Sequence, residues 1–116
     1  KTEATVGIQG IFTQIIDCTF VDSYHALLIT ENATAEVSGC QIKRMTHQGI
    51  EVREGGSLFA IDAHIENCLK GILVYGGARS IELRRCSIVN CQNEGILLAG
   101  SIENAATQYQ YPFEKQ

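Results

Sequence analysis

Apolar and polar residues alternate along this chain in short segments that recur at a nearly constant spacing. Four such segments start 23, 22 and 24 residues apart: Ala26-Leu27-Leu28-Ile29, Gly49-Ile50-Glu51-Val52, Gly71-Ile72-Leu73-Val74 and Gly95-Ile96-Leu97-Leu98. Alternation with a period of two is typical of strands that bury one face. A repeat of this length predicts a chain that winds into a solenoid.

Two further sets of alternating triplets fall between these segments. One set is Cys18-Thr19-Phe20, Cys40-Gln41-Ile42, Ala63-His64-Ile65 and Cys86-Ser87-Ile88; the other is Ala35-Glu36-Val37, Phe59-Ala60-Ile61 and Ile81-Glu82-Leu83. Turns rich in Gly, Asn, Glu and Ala separate the strands. Three strands in each repeat predict an all-β fold, a short parallel β-helix of about four to five coils over residues 1–100. Residues 101–116 leave the repeat, and we expect them to form a capping C-terminal tail.

Other repeat folds fit the pattern less well. Ankyrin-type repeats need longer periods and amphipathic helices, and the Leu-x-x-Leu-x-Leu spacing of leucine-rich repeats is missing here. Within the β-helix, we expect Gly49, Gly71 and Gly95 to mark sharp bends of the backbone. Asn67 and Asn90 occupy equivalent positions, where stacked asparagines form hydrogen bonds from one coil to the next.

A longer pattern carries a resemblance to a known family. The run Cys86-Ser87-Ile88-Val89-Asn90-Cys91, followed by Gly95-Ile96, is echoed across residues 63–72. It resembles the parallel β-helix repeat of the pectate-lyase-like superfamily over about residues 5–100. The resemblance implies a right-handed helix, which is also the preferred hand of parallel crossovers. It says little about activity, because this repeat occurs in polysaccharide lyases, hydrolases and epimerases and also in F-box adaptors and centralspindlin-partner proteins.

The first strands of the coils form one face of the predicted helix, here called the first-sheet face. Alternation directs Leu27, Ile50, Ile72 and Ile96 inward. The residues predicted to point outward and to bind a partner are Leu28, Glu51, Arg53, Leu73, Tyr75 and Leu97. The leucines form an apolar stripe interrupted by Glu51, and an exposed apolar stripe implies a cover. The cover is either the aromatic tail segment Tyr109-Gln110-Tyr111-Pro112-Phe113 or a partner.

These residues favour a non-catalytic module that recognises a protein partner. Hydrolysis of a glycosidic bond needs two opposed carboxyl groups, and the face offers one central carboxylate, that of Glu51. The alternative is a carbohydrate-active protein, either a lyase, hydrolase or epimerase or a binding module, that uses Arg53, Tyr75 and Glu51 on an acidic polysaccharide. A third reading is self-association through the open ends of the solenoid. No cofactor is implied, and no catalytic residue is assigned.

Other candidate constellations are weaker. Asp62 and His64 are two residues apart on one strand and are predicted to face outward and touch, with no nucleophile beside them. His25 and His47 precede equivalent strands and are expected to stack, but a third metal ligand is lacking. The Gly-Gly turns open no helix, so they do not indicate a phosphate-binding loop.

Composition adds limits on partners and compartment. The net charge of −4 gives no general attraction to nucleic acid or to an anionic membrane. The five cysteines show no Cys-x-x-Cys spacing and are predicted to be buried free thiols, which favours an intracellular location. The sequon Asn32-Ala33-Thr34 leaves secretion open. For stability, we expect Ile72→Asp to unfold the domain and Glu51→Ala to cost little.

Overall fold

The structure is a computed structural model that describes residues 4–9, 12–30, 32–99 and 108–109. Within these ranges the chain forms strands and turns, and no helix there is long and apolar enough to span a membrane. The strands are β1 (Ala4–Gln9), β2 (Phe12–Ile16), β3 (Thr19–Val21), β4 (His25–Thr30), β5 (Thr34–Ser38), β6 (Gln41–Lys43), β7 (Gln48–Val52), β8 (Ser57–Ile61), β9 (His64–Glu66), β10 (Lys70–Tyr75), β11 (Ser80–Arg84), β12 (Ser87–Val89), β13 (Glu94–Ala99) and β14 (Gln108–Tyr109).

Each strand pairs in parallel with the strand three places later along the chain, so three sheets run along the molecule. The first sheet has the order β1-β4-β7-β10-β13, the second β14-β11-β8-β5-β2 and the third β12-β9-β6-β3. Four complete coils and two strands of a fifth are therefore present in the described residues. The predicted all-β parallel solenoid is confirmed.

The inward side chains form ladders in the core. In the first sheet Leu27 pairs with Ile50, and Ile50 pairs with Ile72. All three side chains are at most 1% exposed. Burial of each such side chain stabilises the fold by about 1.5–3 kcal/mol. The core is therefore continuous from coil to coil, as the alternation predicts.

The corners of the helix depend on residues in the left-handed backbone region. Every positive φ angle in the described residues lies at one of three corners, at Asp17, Gly39, Asp62 and Arg85, at Asp22, Arg44, Asn67 and Asn90, or at Asn32, Gly55 and Gly77. Asn, Asp and Gly tolerate this conformation better than other residues do. The repeated Asn and Asp positions thus serve the turn.

Two finer predictions, one about the glycines that begin the first strands and one about the stacked asparagines, are wrong. Gly49 and Gly71 do not have positive φ angles; they are needed because the coils approach closely, and a Cβ on Gly49 would lie 2.7 Å from the Gly71 carbonyl oxygen. In the described residues no hydrogen bond joins the side chains of Asn67 and Asn90. The Asn67 amide instead donates to Glu66 Oε2 at 3.4 Å.

The predicted alignment of the second sheet is shifted by one residue at β8. Ala35 pairs with Leu58 and Glu36 pairs with Phe59. Leu58 and Ala60 therefore point inward and are at most 1% exposed, whereas Phe59 and Ile61 point outward. In the triplet Phe59-Ala60-Ile61 the two large apolar residues were taken to face the core. The small residue Ala60 faces the core instead.

Four of the five thiols are buried, and Cys18 is exposed. Cys18 lies in the column of Cys40 and Cys86, but it belongs to the first coil, so no preceding coil in the described residues covers it. Burial raises the pKa of Cys68 to about 11 and also raises the pKa values of Cys40, Cys86 and Cys91. These four thiols are therefore protonated core residues.

Within the segment predicted to be a tail, the described residues are those of β14. Gln108 pairs with Glu82 and Tyr109 pairs with Leu83, so β14 extends the second sheet. The rest of segment 101–116, including the other aromatic residues proposed as a cover, lies outside the described residues. That this segment caps the helix remains a prediction.

Candidate binding face

The four central residues of the predicted face form one ladder across the first sheet. Leu28 pairs with Glu51, Glu51 with Leu73, and Leu73 with Leu97. Leu28 and Leu97 are half-buried and Leu73 is 6% exposed. The apolar stripe interrupted by one carboxylate therefore exists as predicted, but its centre is less accessible than an open sheet face would be.

Glu51 is almost fully buried, with 2% of its surface exposed. His25 Nε2 lies 3.0 Å from one carboxylate oxygen, and Arg53 Nε donates to the other at 2.7 Å. Leu28 and Leu73 flank it on the neighbouring strands. Glu51 is therefore not an exposed residue of the face, and its buried contacts argue against the expectation that Glu51→Ala costs little. The carboxylate thus contacts His25 of the preceding coil and Arg53 of its own coil.

Arg53 and Tyr75 extend the face beyond the ladder. Arg53 follows β7 and Tyr75 ends β10, and the Arg53 guanidinium carbon lies 5.9 Å from the centre of the Tyr75 ring. The arrangement is a cation–π contact at the carboxyl ends of two neighbouring strands. Tyr75 is 40% exposed and the Arg53 side chain 42%. The structure thus brings together all six residues predicted to form the site.

The residue that sequence reasoning missed is His25 as a partner of Glu51. The predicted stacking of His25 with His47 is present, with ring centres 5.5 Å apart, and Tyr24 contacts His47 edge to face. His25 and Glu51 come from successive coils and are offset by three residues along the strands. An offset of three residues places two side chains on opposite faces of a regular sheet, so neither the alternation nor the register Leu27–Ile50 predicts that they meet. Gln48, 9% exposed, adds a buried amide whose Oε1 accepts no hydrogen bond from the described residues.

The predicted contact between Asp62 and His64 is wrong. Asp62 lies at a corner and accepts two hydrogen bonds from Arg85, at 2.8 and 3.1 Å. His64 Nε2 lies 2.6 Å from a Glu66 carboxylate oxygen. The positive φ of Asp62 turns its side chain away from the alternating pattern of the strand. An Asp–His pair for acid–base chemistry is therefore not formed.

Arg44 and Arg85 each form an ion pair with an aspartate of the preceding coil. Arg44 donates to Asp22 at 2.8 and 3.2 Å in the same two-bond geometry as Arg85 and Asp62. The hydrogen bond from Arg85 lowers the pKa of Asp62, and the hydrogen bond with His64 lowers the pKa of Glu66. The cations near residues 43–44 and 84–85 thus have acidic neighbours, and they do not form a free basic patch.

Short turns border the first-sheet face on both sides. Two shallow depressions of about 550 and 430 Å³ lie at these corners, the larger around Cys68 and Cys91 and the smaller around Asn32 and Arg79. Neither is lined by residues of the Leu28–Leu97 ladder. In the described part of the chain, no group of three or more potential metal ligands comes together. Around β4, β7 and β10, where the bordering turns are described, the face is therefore a shallow surface without long loops as walls.

Comparison with known proteins agrees with this architecture. The sequence profile of the family described as "Right handed beta helix region" matches residues 5–108. No significant match to the chain was found among curated proteins or among solved structures. Since the profile spans most of the chain and the described strands form a parallel solenoid, the chain belongs to the right-handed β-helix family.

Proposed function

We propose that the chain is a non-catalytic binding module that recognises a protein partner through the first-sheet face. The observation that carries this proposal is the unit formed by Glu51, Arg53 and Tyr75. The buried carboxylate holds Arg53, and Arg53 lies over the exposed Tyr75 ring. Tyr and Arg are among the residues most often found at the centres of protein interfaces. An Arg that is already held in place loses less side-chain entropy on binding.

The shape of the surface supports the same proposal. The half-buried Leu28 and Leu97 add apolar area at either end of the ladder, and the turns that border β4, β7 and β10 are three or four residues long. Such a face suits a broad contact better than it suits a small ligand, which needs a concave site. Parallel stacking also preforms the backbone, so that little ordering is needed on association.

The test is a capture experiment with a matched control. Wild type, Tyr75→Ala and Tyr24→Ala are immobilised, and proteins retained from a lysate are identified by mass spectrometry. Tyr24 is as exposed as Tyr75, 40%, but lies outside the six-residue face. We expect a protein that wild type and Tyr24→Ala retain and Tyr75→Ala loses. Retention by all three variants would contradict the proposed face.

A carbohydrate-active role is the alternative, and the observation that favours it is the same Arg53–Tyr75 pair. A guanidinium beside an exposed ring suits the carboxylate and the apolar side of a uronic acid sugar. Hydrolysis is less well supported, because the carboxylates in the first-sheet strands, Glu51 and Glu94, are roughly 14 Å apart at the backbone. Glycosidases hold their two carboxyl groups about 5–9.5 Å apart. Binding and cleavage assays on acidic polysaccharides, with Arg53→Ala as control, test this role.

A further inference from the structure

Two buried thiols lie in successive coils at the corner where the third sheet leads into the first. Cys68 lies two residues after β9 and Cys91 two residues after β12, and they are 2% and 0% exposed. The Gln92 backbone amide donates to the Cys68 carbonyl oxygen at 2.9 Å, and this parallel hydrogen bond places Cys91 directly beside Cys68. Both cysteines line the larger corner depression, of about 550 Å³, which contains no residue of the Leu28–Leu97 ladder.

The two thiols also point the same way. The Cys68 thiol donates to the Glu66 carbonyl oxygen at 3.5 Å, and the Cys91 thiol donates to the Val89 carbonyl oxygen at 3.8 Å, so each bonds to the residue two places before it. Side chains with the same orientation in neighbouring parallel strands are separated by the strand spacing, about 4.8 Å. Two metal–thiolate bonds of about 2.3 Å each span roughly 4.6 Å when the sulfur atoms lie on opposite sides of the metal. The spacing of the coils therefore matches a metal ion held between the two sulfur atoms.

The side chains around the pair favour a soft metal ion. Met45, 2% exposed, lines the same depression from the preceding coil, and its side chain carries a thioether. Thiolate and thioether sulfur select Cu(I) over harder ions. A structural zinc site needs four ligands, and among the described residues no third His, Cys, Asp or Glu joins the two cysteines. The donors present therefore fit Cu(I) better than Zn(II).

We propose that Cys68 and Cys91 bind one Cu(I) ion between successive coils. Burial raises the pKa values of both thiols, so they are protonated in the metal-free chain. Binding replaces two S–H bonds with two Cu–S bonds and releases two protons to the solvent, and neither copper nor sulfur changes its oxidation state. Because the ion joins two coils that meet only in the folded chain, it stabilises the fold as well.

The remaining cysteines belong to another corner and offer a less protected arrangement. Cys40 and Cys86 are separated there by Ala63 of the intervening coil, so they lie roughly 9.6 Å apart, too far to share one ion. Cys18 lies beside Cys40, but it is exposed. A Cys18→Ser background therefore removes the competing pair of neighbouring thiols.

Anaerobic titration of the full chain with Cu(I) tests the proposal, in the Cys18→Ser background, with a non-thiol reductant and a competing coloured Cu(I) chelator. We expect one Cu(I) per chain, two protons released and a melting temperature that rises with free Cu(I). Cys68→Ala and Cys91→Ala should each weaken binding roughly a hundredfold or more, because even loss of an outer partner of a ligand costs 10–100-fold. Cys40→Ala and Cys86→Ala, which also remove a buried thiol, should leave the affinity unchanged. Circular dichroism checks that all four variants fold.

X-ray absorption at the copper edge keeps the test independent of these variants. In the copper-loaded Cys18→Ser chain we expect sulfur ligands at about 2.3 Å and no nitrogen or oxygen ligand. The proposal would be overturned by a chain that binds no Cu(I) or by nitrogen or oxygen ligands on the copper. It would also be overturned by binding that survives both Cys68→Ala and Cys91→Ala, or that either control variant removes.

Discussion

Glu51 is a carboxylate that has been almost completely removed from water on the outer side of a sheet. Burial of a charge is costly unless partners compensate it, and here His25 and Arg53 each approach one oxygen. The alternation of the strand predicted that Glu51 points outward, and this is correct. Its burial could not be predicted, because it depends on side chains from two coils that fold over it.

Removal of this carboxylate tests its structural role. We expect Glu51→Ala to lower the free energy of unfolding by about 1–3 kcal/mol, because His25 and Arg53 lose the acceptor they share. Glu54→Ala, in an exposed turn, should change it by less than about 0.5 kcal/mol. Urea denaturation followed by circular dichroism measures both. Equal midpoints would show that the buried contacts contribute no net stability.

At the scale of the strands, periodicity was the informative signal. The first strands of the second to fifth coils and the third strands of the first to fourth coils were located correctly, because large apolar residues such as Ile42 and Ile65 recur in register on one face. The strands β1 and β2 of the first coil were not identified. The second strand of the third coil was misaligned, because Ala60 is small and inward while Phe59 is large and outward. The size of an apolar side chain is therefore a weak guide to whether it points into the core. A small inward residue is tolerated where side chains from the other sheets fill the space.

Contact between neighbouring strands leads to a prediction at Gly71. A Cβ added there would meet the Gly95 carbonyl oxygen and lie 2.6 Å from Ile88 Cγ2, whereas a Cβ on Gly7 would meet nothing within 4 Å. We therefore expect Gly71→Ala to destabilise the fold by about 1–3 kcal/mol and Gly7→Ala to be nearly neutral. Thermal denaturation of the two variants checks this. A neutral Gly71→Ala would mean that the coils can separate locally at no cost.

The molecule as a whole is a stack in which each coil contacts only its neighbours. Its free energy of unfolding is therefore close to the sum of the stabilities of the individual coils and of the interfaces between neighbouring coils. Disruption of a central coil removes the contacts that connect the coils on either side of it. The family and the solenoid could be read from the sequence. The identity of a partner could not, because the repeat specifies a scaffold and leaves the surface chemistry free.

A charge placed in the middle of the stack tests this dependence between coils. Ile72→Asp puts a carboxylate where the side chain is 1% exposed, and we expect it to cost more than about 4 kcal/mol and to unfold the chain. Tyr75→Asp adds the same charge to the same strand at an exposed position and should cost less than about 1 kcal/mol. Similar melting temperatures for the two variants would contradict the inward and outward assignment in β10.

The constant spacing of the repeat also governs how the chain can fold. Across the three sheets, paired residues lie between 21 apart (Ala4 and His25) and 26 apart (Glu82 and Gln108) along the chain. The entropy lost in closing a loop depends on the logarithm of its length, so the addition of each coil to a growing stack costs nearly the same. After the first two coils have met, we therefore expect folding to proceed by closures of nearly equal cost. Additional coils would lengthen the series without making any single closure slower.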